Sequence, residues 1–229
     1  MEAIILAGGF GTRLRQVVPN LPKPMAPIAG RPFLEILLKN LSRKGFTSVI
    51  ISLGYKAECI FEHFGSRFLN IKLAYTIEKD PLGTGGAIRL AMTKSTQENV
   101  FVLNGDTFLD FDAKKIQATW LIKRRPIVLA TKVQDTVRFG RLILKEGKLI
   151  NLSTKGLSGP GLINAGCYVL GRNDLDDFPL YQCFSIESDF LSKEVELSKA
   201  DLIISAGTFI DIGVPEDYYI AETKLAAYL

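Results

Sequence analysis

Residues 1–14, MEAIILAGGFGTRL, place a short apolar run directly before a loop that holds Gly8, Gly9 and Gly11. Residues 3–6 predict a buried strand, and residues 8–20 predict the glycine-rich loop that follows it. Glycines let the backbone approach a ligand closely and turn its N–H groups toward that ligand, which suits phosphate oxygens. The stretch therefore predicts the first strand and the first ligand loop of an α/β sheet.

The alternation of apolar strand and helix continues through the first half of the chain. Residues 49–53, 71–77 and 100–103 predict further strands. The predicted helices lie between them, one that Pro32 opens and Gly45 ends, then residues 57–68 and 85–94. Because fully apolar strands joined by helices are covered on both faces, this half predicts a parallel sheet between two helical layers.

The pattern changes near residue 126. Residues 127–132, 141–145, 148–151 and 165–170 predict strands separated by turns, with Glu146-Gly147 as a hairpin tip. We expect these strands to add antiparallel material to the sheet, and helices to follow at residues 185–193 and 215–227. The prediction is one α/β/α domain with two halves, residues 1–110 and 111–229, rather than two separable domains.

Size and composition exclude several classes of protein. A core built from 229 residues buries roughly 70% of the unfolded chain's surface, so the chain needs no disulfide, metal or partner to fold. Charged residues make up 23% and hydrophobic residues 47%, which excludes a disordered chain. The net charge is +4 and is scattered along the sequence, so we expect no nucleic-acid partner. A substrate that carries a few phosphates fits this balance better.

Cysteine usage and hydropathy point to the cytoplasm. Cys59, Cys167 and Cys183 are odd in number and form no CxxC or Cys/His cluster, so reduced thiols are expected. The N-terminus has no basic region followed by a cleavage site, and no apolar run approaches about 18 residues. We therefore expect neither a signal peptide nor a membrane partner.

The glycine loop is the first of three features that fall at predicted strand ends, where α/β sheets bind ligands. Arg13 adds a fork of donors to it. Leu14 stands where the dinucleotide-binding fingerprint needs its third glycine, residues 53–55 offer no acid for a ribose, and no Gly-Lys-Ser/Thr motif occurs. These departures disfavour a nicotinamide dehydrogenase. A purely structural turn remains the alternative to phosphate binding.

The other two features are a pinned lysine and paired acids. Pro22 and Pro24 flank Lys23 and are expected to hold it in an extended segment, although a plain surface lysine is the alternative. Asp106 follows a strand within Asn104-Gly105-Asp106, where a carboxylate is well placed to hold Mg²⁺ or to cap a turn. Asp211 precedes a predicted helix and is a second candidate ligand, or only a helix cap.

Weaker candidates lie beside these features. Residues 81–87, PLGTGGA, open a helix whose glycines either face a nucleobase or let the helix pack closely. Glu78 has the acceptor atoms to read the N1–H and N2–H₂ edge of guanine, but a solvated acid is the alternative. His63, the single histidine, has no partnered Ser or Cys motif and is expected at the surface.

Six segments in this order resemble the sugar-1-phosphate nucleotidyltransferase family. They are residues 6–14, 23–25, 82–87, 104–106, 164–168 and 211–218, and the resemblance covers residues 1–221. Residues 81–87 and the short length look most similar to the bacterial D-glycero-α-D-manno-heptose 1-phosphate guanylyltransferases, with mannose-1-phosphate guanylyltransferases nearest to them. The resemblance implies a three-layer, Rossmann-like α/β/α fold with a mixed, mostly parallel sheet.

The resemblance also implies the site residues. The nucleotide would be bound by Leu6, Ala7, Gly8, Gly9, Gly11, Thr12, Arg13, Lys23, Glu78, Pro81, Gly83 and Asp106. Arg13 would hold the outer phosphates and Lys23 the α-phosphate, while Asp106 and Asp211 would hold Mg²⁺. The sugar would be bound by Asn104, Gly140, Lys155, Asn164, Gly166 and Glu187. Lys155 follows Thr154, whereas the family's lysine usually follows Glu.

The activity that the resemblance implies needs no general base. A sugar 1-phosphate oxygen, already ionised, attacks the α-phosphorus of a nucleoside triphosphate, with GTP favoured, and pyrophosphate leaves. The implied product is GDP-heptose for surface polysaccharide synthesis, made by a cytoplasmic enzyme for which a homodimer is an open expectation. The alternatives are a mannose-1-phosphate guanylyltransferase, another NDP-sugar pyrophosphorylase, or a catalytically silent subunit that only binds nucleotide.

Overall fold

The computed structural model describes residues 1–9, 11, 14 and 17–229. Within them, the helices are α1 (Phe33–Arg43), α2 (Ala57–Phe64), α3 (Gly83–Met92), α4 (Ala113–Lys123), α5 (Ser192–Glu196) and α6 (Pro215–Leu225). The strands are β1 (Glu2–Leu6), β2 (Pro27–Ile28), β3 (Arg31–Pro32), β4 (Ser48–Leu53), β5 (Arg67–Phe68), β6 (Ile71–Ile77), β7 (Asn99–Asn104), β8 (Thr107–Leu109), β9 (Ile127–Val133), β10 (Arg141–Lys145), β11 (Lys148–Thr154), β12 (Gly161–Gly171), β13 (Asp201–Ser205) and β14 (Phe209–Asp211).

The central sheet has the strand order β13-β9-β12-β7-β1-β4-β6-β5. The pairs β7–β1, β1–β4, β4–β6 and β13–β9 are parallel. Strand β12 runs antiparallel to both β7 and β9, and β5 runs antiparallel to β6. The predicted mixed, mostly parallel sheet with an antiparallel addition is confirmed, and β9 and β12 supply the addition.

Apolar side chains cover both faces of this sheet. Along β1, Ala3 and Ile5 pack into the core on one face, with α1, α2, α4 and α6, whereas Ile4 packs into the core on the other. That second core contains residues of α3, α5 and the β10–β11 hairpin. Since successive side chains of a strand point to opposite faces, β1 serves both cores, and the predicted three-layer architecture is confirmed.

Several local predictions differ from the structure. The second helix ends at Phe64 rather than residue 68, because Gly65 adopts a φ of 58° and the chain turns into β5. The β10–β11 hairpin has the predicted tip at Glu146-Gly147, with φ of 51° and 76°, but forms a separate two-stranded sheet. The helix expected at residues 185–193 is a π-helical turn, Ile186–Leu191, that continues into α5.

None of the helices in the described part of the chain combines the length and apolarity needed to cross a bilayer. Cys59, Cys167 and Cys183 are free thiols, of which Cys167 is buried. His63 is exposed on α2, as expected.

Candidate active site

A cavity of about 610 Å³ opens at the carboxyl ends of β1, β4, β6 and β7. Leu6 and Asn104, which are register partners at the ends of β1 and β7, lie in its wall. Its lining residues are Leu6, Ala7, Gly8, Gly9, Gly11, Lys23, Pro24, Gly54, Tyr55, Glu78, Lys79, Asp80, Pro81, Gly83, Thr84, Ala87, Asn104, Gly105, Asp106 and Gly213. The cavity therefore lies where parallel strands end, as the sequence predicts.

Backbone segments meet closely in this wall. A Cβ on Gly54 would lie 2.7 Å from the carbonyl oxygen of Gly8, and a Cβ on Gly105 would lie 2.5 Å from that of Leu6. Because real Cβ atoms do not approach this closely, both positions need glycine.

The predicted nucleotide-binding residues lie around this cavity wherever the structure describes them. Ten of them line it: Leu6, Ala7, Gly8, Gly9, Gly11, Lys23, Glu78, Pro81, Gly83 and Asp106. Thr12 and Arg13 lie outside the described residues. The structure thus gathers the described set at one place, and the role of each residue stays a prediction.

Among the described residues of the cavity wall, Lys23 is the cation that contacts Asp106, a candidate metal ligand. Its Nζ lies 2.5 Å from Oδ2 of Asp106, and its side chain is only 10% exposed. The expected extended backbone is wrong here: Lys23–Met25 form one 3₁₀ turn, in which the N–H of Met25 donates to the carbonyl of Pro22. Pro24 is compatible with a first helical turn because its fixed φ suits that position.

Strand pairing brings Asp211 beside Asp106. Strands β8 and β14 are antiparallel, with Asp211 opposite Thr107, and the N–H of Ile212 donates to the carbonyl of Asp106. Oδ1 of Asp211 accepts from the N–H of Gly213 at 2.6 Å. Burial and the neighbouring Asp106 raise the pKa of Asp211, while Lys23 and Arg138 oppose the rise.

Arg138 is a positively charged residue next to Asp211 that the sequence analysis did not identify. Its guanidinium lies 3.6 Å from Oδ2 of Asp211, pairs with Asp217 in the first turn of α6, and stacks over the ring of Phe139. Its one sequence signal is a position just before Phe139-Gly140, close to a residue already predicted for the sugar site.

Three predicted sugar-binding residues, Asn164, Gly166 and Glu187, are linked by hydrogen bonds, and the fourth, Asn104 of the cavity wall, lies against Gly166. A Cβ on Gly166 would lie 2.5 Å from Nδ2 of Asn104, so these two residues are adjacent. Nδ2 of Asn164 donates to the hydroxyl of Tyr168 at 2.8 Å, and that hydroxyl donates to Oε1 of Glu187 at 3.0 Å. Burial, and then the Glu187 carboxylate, hold the pKa of Tyr168 well above its usual value, so its hydroxyl stays a donor.

Gly140 and Lys155 lie apart from this group. Gly140 precedes β10, where its N–H donates to the carbonyl of Thr136. Lys155 is exposed directly after β11. Of the predicted sugar-binding residues only Asn104 lines the cavity, and neither Gly140 nor Lys155 takes part in the hydrogen bonds that link Asn164, Gly166 and Glu187.

The glycines of residues 83–86 serve packing more than ligand contact. A Cβ on Gly85 would lie 2.2 Å from the ring of Phe184, and one on Gly86 would lie 2.4 Å from the carbonyl oxygen of Gln182. The N–H of Phe184 donates to the carbonyl of Leu82 at 3.0 Å. The packing alternative therefore holds for Gly85 and Gly86. Pro81, Gly83, Thr84 and Ala87 line the cavity beside this packed strip, and a nucleobase contact there stays a prediction.

Glu78 holds the turn in front of α3. Its Oε2 accepts from the N–H of Leu82 at 2.9 Å, and its Oε1 accepts from the hydroxyl of Ser52 at 3.3 Å. Its carboxylate also lies against Gly8, where a Cβ would be 2.9 Å from Oε1. These bonds give Glu78 a structural task in the cavity wall, and its guanine contact stays a prediction.

The carboxylates Asp106 and Asp211 fit a magnesium ion. No group of three or more His, Cys, Asp or Glu residues that could hold a metal occurs among the described residues. Magnesium suits two carboxylates because it usually keeps several waters and takes further oxygens from substrate phosphates. Burial, and then the neighbouring charge of Asp106, raise the pKa of Asp211, so the two carboxylates lie close enough to interact.

Known proteins resemble this chain over its whole length. A heptose enzyme of Aneurinibacillus thermoaerophilus, D-glycero-alpha-D-manno-heptose 1-phosphate guanylyltransferase, is 43% identical over 230 residues and all of both chains. The enzyme of the same name from Campylobacter jejuni is 45% identical over 96% of this chain and 97% of its own.

Two solved structures are similar to this chain in both fold and sequence. HddC from Yersinia pseudotuberculosis superposes with a TM-score of 0.87 at 38% identity, over 98% of this chain and 99% of the other. Its complex with GMP-PN superposes with a TM-score of 0.85 at 37% identity, over the same shares of the two chains. The family model for nucleotidyl transferases matches residues 2–227, which confirms the resemblance stated from the sequence motifs. The chain belongs to the nucleotidyl transferase family.

Proposed function

We propose that the protein transfers GMP from GTP to D-glycero-α-D-manno-heptose 1-phosphate, and that it releases GDP-heptose and pyrophosphate. The observation that carries the transfer is the cluster of Lys23, Asp106 and Asp211 at the edge of the cavity. The full-length similarity to two heptose 1-phosphate guanylyltransferases supports the choice of base and sugar.

The reaction brings two phosphates together, so its barrier is largely electrostatic. Two unit like charges at 4 Å repel by about 4 kcal/mol at an effective dielectric constant near 20. The sugar phosphate is ionised at neutral pH and attacks the α-phosphorus without a base, while pyrophosphate leaves on the opposite side. Catalysis then needs positioning and neutralisation of charge rather than proton transfer.

Each described residue has a task in this proposal. Lys23 Nζ leaves Asp106 and binds an α-phosphate oxygen. The ammonium group needs a negatively charged partner in this half-buried site, and the phosphate supplies one. The backbone of residues 7–9 faces the triphosphate, and Glu187 and Asn164 bind sugar hydroxyls. Asp106 and Asp211 would hold Mg²⁺, which supplies charge neutralisation at the α-phosphate.

The remaining expectations belong to the same proposal. Arg13 would bind the outer phosphates, and Lys155 would reach the sugar phosphate from its exposed position after β11. We place the enzyme in the cytoplasm, where its proposed substrates occur, with a product destined for surface polysaccharide. Light scattering of the purified chain measures its mass in solution and so tests the expectation of a homodimer.

A grid of substrates tests the proposal. GTP, ATP, UTP and dTTP are each combined with heptose, mannose and glucose 1-phosphates in the presence of Mg²⁺, and released pyrophosphate is measured. We expect the highest kcat/KM for GTP with the heptose. A maximum with mannose 1-phosphate would make the protein a mannose-1-phosphate guanylyltransferase instead. Nucleotide binding with no pyrophosphate from any pair would identify a silent subunit and contradict the proposal.

A further inference from the structure

Thr84 lies in the wall of the cavity proposed for the nucleotide, yet its hydroxyl bonds to Glu187, a residue proposed to bind the sugar. Its Oγ1 donates to Oε2 of Glu187 at 2.8 Å and accepts from the N–H of Ile186 at 2.9 Å. The two side chains are 103 residues apart in the sequence. One hydroxyl in the first turn of α3 thus holds both the backbone and the carboxylate of the segment that starts the π-helical turn.

Hydroxyl donors alone hold the Glu187 carboxylate within the described part of the chain. Tyr168 donates to Oε1 at 3.0 Å, and Ser185 and Thr84 donate to Oε2 at 2.9 and 2.8 Å. No ion pair of Glu187 occurs among the salt bridges of the described residues. A carboxylate accepts about four hydrogen bonds, so Oε1 keeps an acceptor position free for a further hydroxyl.

The three donors have different consequences for the position of Glu187. Ser185 lies on the same segment and moves with it, whereas Tyr168 ties the carboxylate to β12 in the sheet. Thr84 alone among the three belongs to the cavity wall, in the turn that Gly83 and Pro81 share. Loss of the Thr84 hydroxyl therefore frees Glu187 on the cavity side and leaves the N–H of Ile186, a buried residue, without its acceptor.

We propose that Thr84 is a positioning residue that aligns the Glu187 carboxylate for the sugar hydroxyls, so that a residue of the nucleotide wall sets the affinity for the sugar 1-phosphate. This inference rests on the proposed function. It assigns to Thr84 an effect on the second substrate, although its neighbours Pro81 and Gly83 line the cavity expected for GTP.

A matched pair of variants tests it. Thr84→Val keeps the size of the side chain and removes the hydroxyl, whereas Thr84→Ser keeps the hydroxyl. We expect Thr84→Val to raise KM for heptose 1-phosphate by about fivefold or more, a factor that corresponds to losing one modest hydrogen bond. KM for GTP should change by a clearly smaller factor, and Thr84→Ser should restore most of the sugar affinity.

A double-mutant cycle with Glu187→Gln separates alignment from general damage to α3. In the Glu187→Gln background, Thr84→Val should raise the sugar KM by much less than it does in the wild type. Equal increases of both KM values, a Ser variant as impaired as the Val variant, or full additivity with Glu187→Gln would each overturn the inference. If Thr84→Val fails to unfold cooperatively, Thr84→Ala replaces it with the same expected outcomes.

The wild-type assay keeps the two proposals apart. A wild-type chain that transfers GMP while Thr84→Val leaves the sugar KM unchanged contradicts the role of Thr84 only. A wild-type chain that transfers to none of the heptose, mannose and glucose 1-phosphates contradicts the proposed function, and the role of Thr84 falls with it.

Discussion

Lys23 and Asp106 are 83 residues apart in the sequence, yet Nζ and Oδ2 lie 2.5 Å apart in the fold. Their side chains are 10% and 34% exposed, so each charge has lost much of its hydration, and the opposite charge compensates for that loss. The ion pair holds both charges at the cavity. In the proposed mechanism a phosphate would replace Asp106 beside Lys23, and a cation would replace Lys23 beside Asp106. Proposed catalysis thus begins from a pair that is already neutral as a whole.

Replacement of Asp106 tests this arrangement. We expect Asp106→Ala to lower kcat at saturating substrates by about two decades or more, because the variant loses a proposed metal ligand. Pyrophosphate release gives the rate. Asp112→Ala is a matched control, since Asp112 caps α4 through the N–H of Lys115 and should cost about 1 kcal/mol of stability without a comparable loss of kcat. Near-wild-type turnover by Asp106→Ala would remove this residue from the site.

Asp174 provides a pH-dependent prediction that is independent of the activity. Burial raises the pKa of Asp174 to about 6, and Glu194 adds to the rise against the hydrogen bond from Gly171. The folded chain therefore holds this proton up to a higher pH than the unfolded chain does, so Asp174 lowers stability progressively between about pH 4 and pH 6.

The variant Asp174→Asn removes this titration. Its free energy of unfolding relative to the wild type should rise between about pH 4 and pH 6 and then stay constant, as measured by urea denaturation at each pH. Asp176→Asn, which alters an exposed partner of Arg89, is the control for changes in surface charge. Parallel pH profiles for wild type and Asp174→Asn would contradict the prediction.

Residue-scale prediction from sequence succeeds where a residue carries its own local signal. Lys23 stands between prolines and Asp106 follows a glycine at a strand end, and both line the cavity. Arg138 and Thr84 were not recognised because their partners, Asp211 and Glu187, come from distant parts of the chain. A local sequence pattern does not predict a contact between side chains that are far apart in the sequence.

At the scale of elements, the start of α3 depends on a strip of glycines against Phe184. The N–H of Gly85 donates to the carbonyl of Phe184 at 2.9 Å, and the ring of Phe184 stacks on Phe178 with centroids 4.0 Å apart. This contact anchors the segment that carries Glu187 to the helix that carries Thr84. The proposed sugar side thus depends on how closely two backbones approach.

A methyl group at Gly85 tests this packing. In an exposed helix, Gly→Ala stabilises by roughly 0.5–1 kcal/mol. Here we expect Gly85→Ala to lower the free energy of unfolding by about 1–3 kcal/mol, because its Cβ would overlap the Phe184 ring. In a Phe184→Ala background, the same change should cost much less, as urea denaturation would show. A stabilised Gly85→Ala protein would contradict the close contact.

Prediction of elements from sequence was most accurate for the apolar strands. The predictions at residues 3–6, 49–53, 71–77 and 100–103 agree with β1, β4, β6 and β7 to within a residue or two. Strand β13 and helix α4 were not predicted. Helix α4 has little one-sided hydrophobic pattern, because it buries only Ala113, Ile116 and Trp120, and β13 is a short strand at the edge of the sheet.

At the scale of the whole molecule, the order of strands assembles the site. The parallel neighbours β7, β1, β4 and β6 end at one edge of the sheet, which the apolar runs and connecting helices made predictable. The small β8–β14 sheet then carries Asp211 back to Asp106 after about a hundred residues of intervening chain. Neither short strand was predicted, so the sequence offered Asp211 as a second ligand only beside the alternative of a helix cap, and the strand pairing that places it next to Asp106 was not foreseen.

The position of the metal and the triphosphate tests the account most directly. A crystal of the protein with Mn²⁺ in place of Mg²⁺ and a non-hydrolysable GTP analogue gives that position from anomalous scattering. We predict a manganese peak within about 2.5 Å of carboxylate oxygens of both Asp106 and Asp211, with the α-phosphate within hydrogen-bond distance of Lys23 Nζ. A manganese ion and a triphosphate bound away from Asp106, Asp211 and Lys23 would contradict the account.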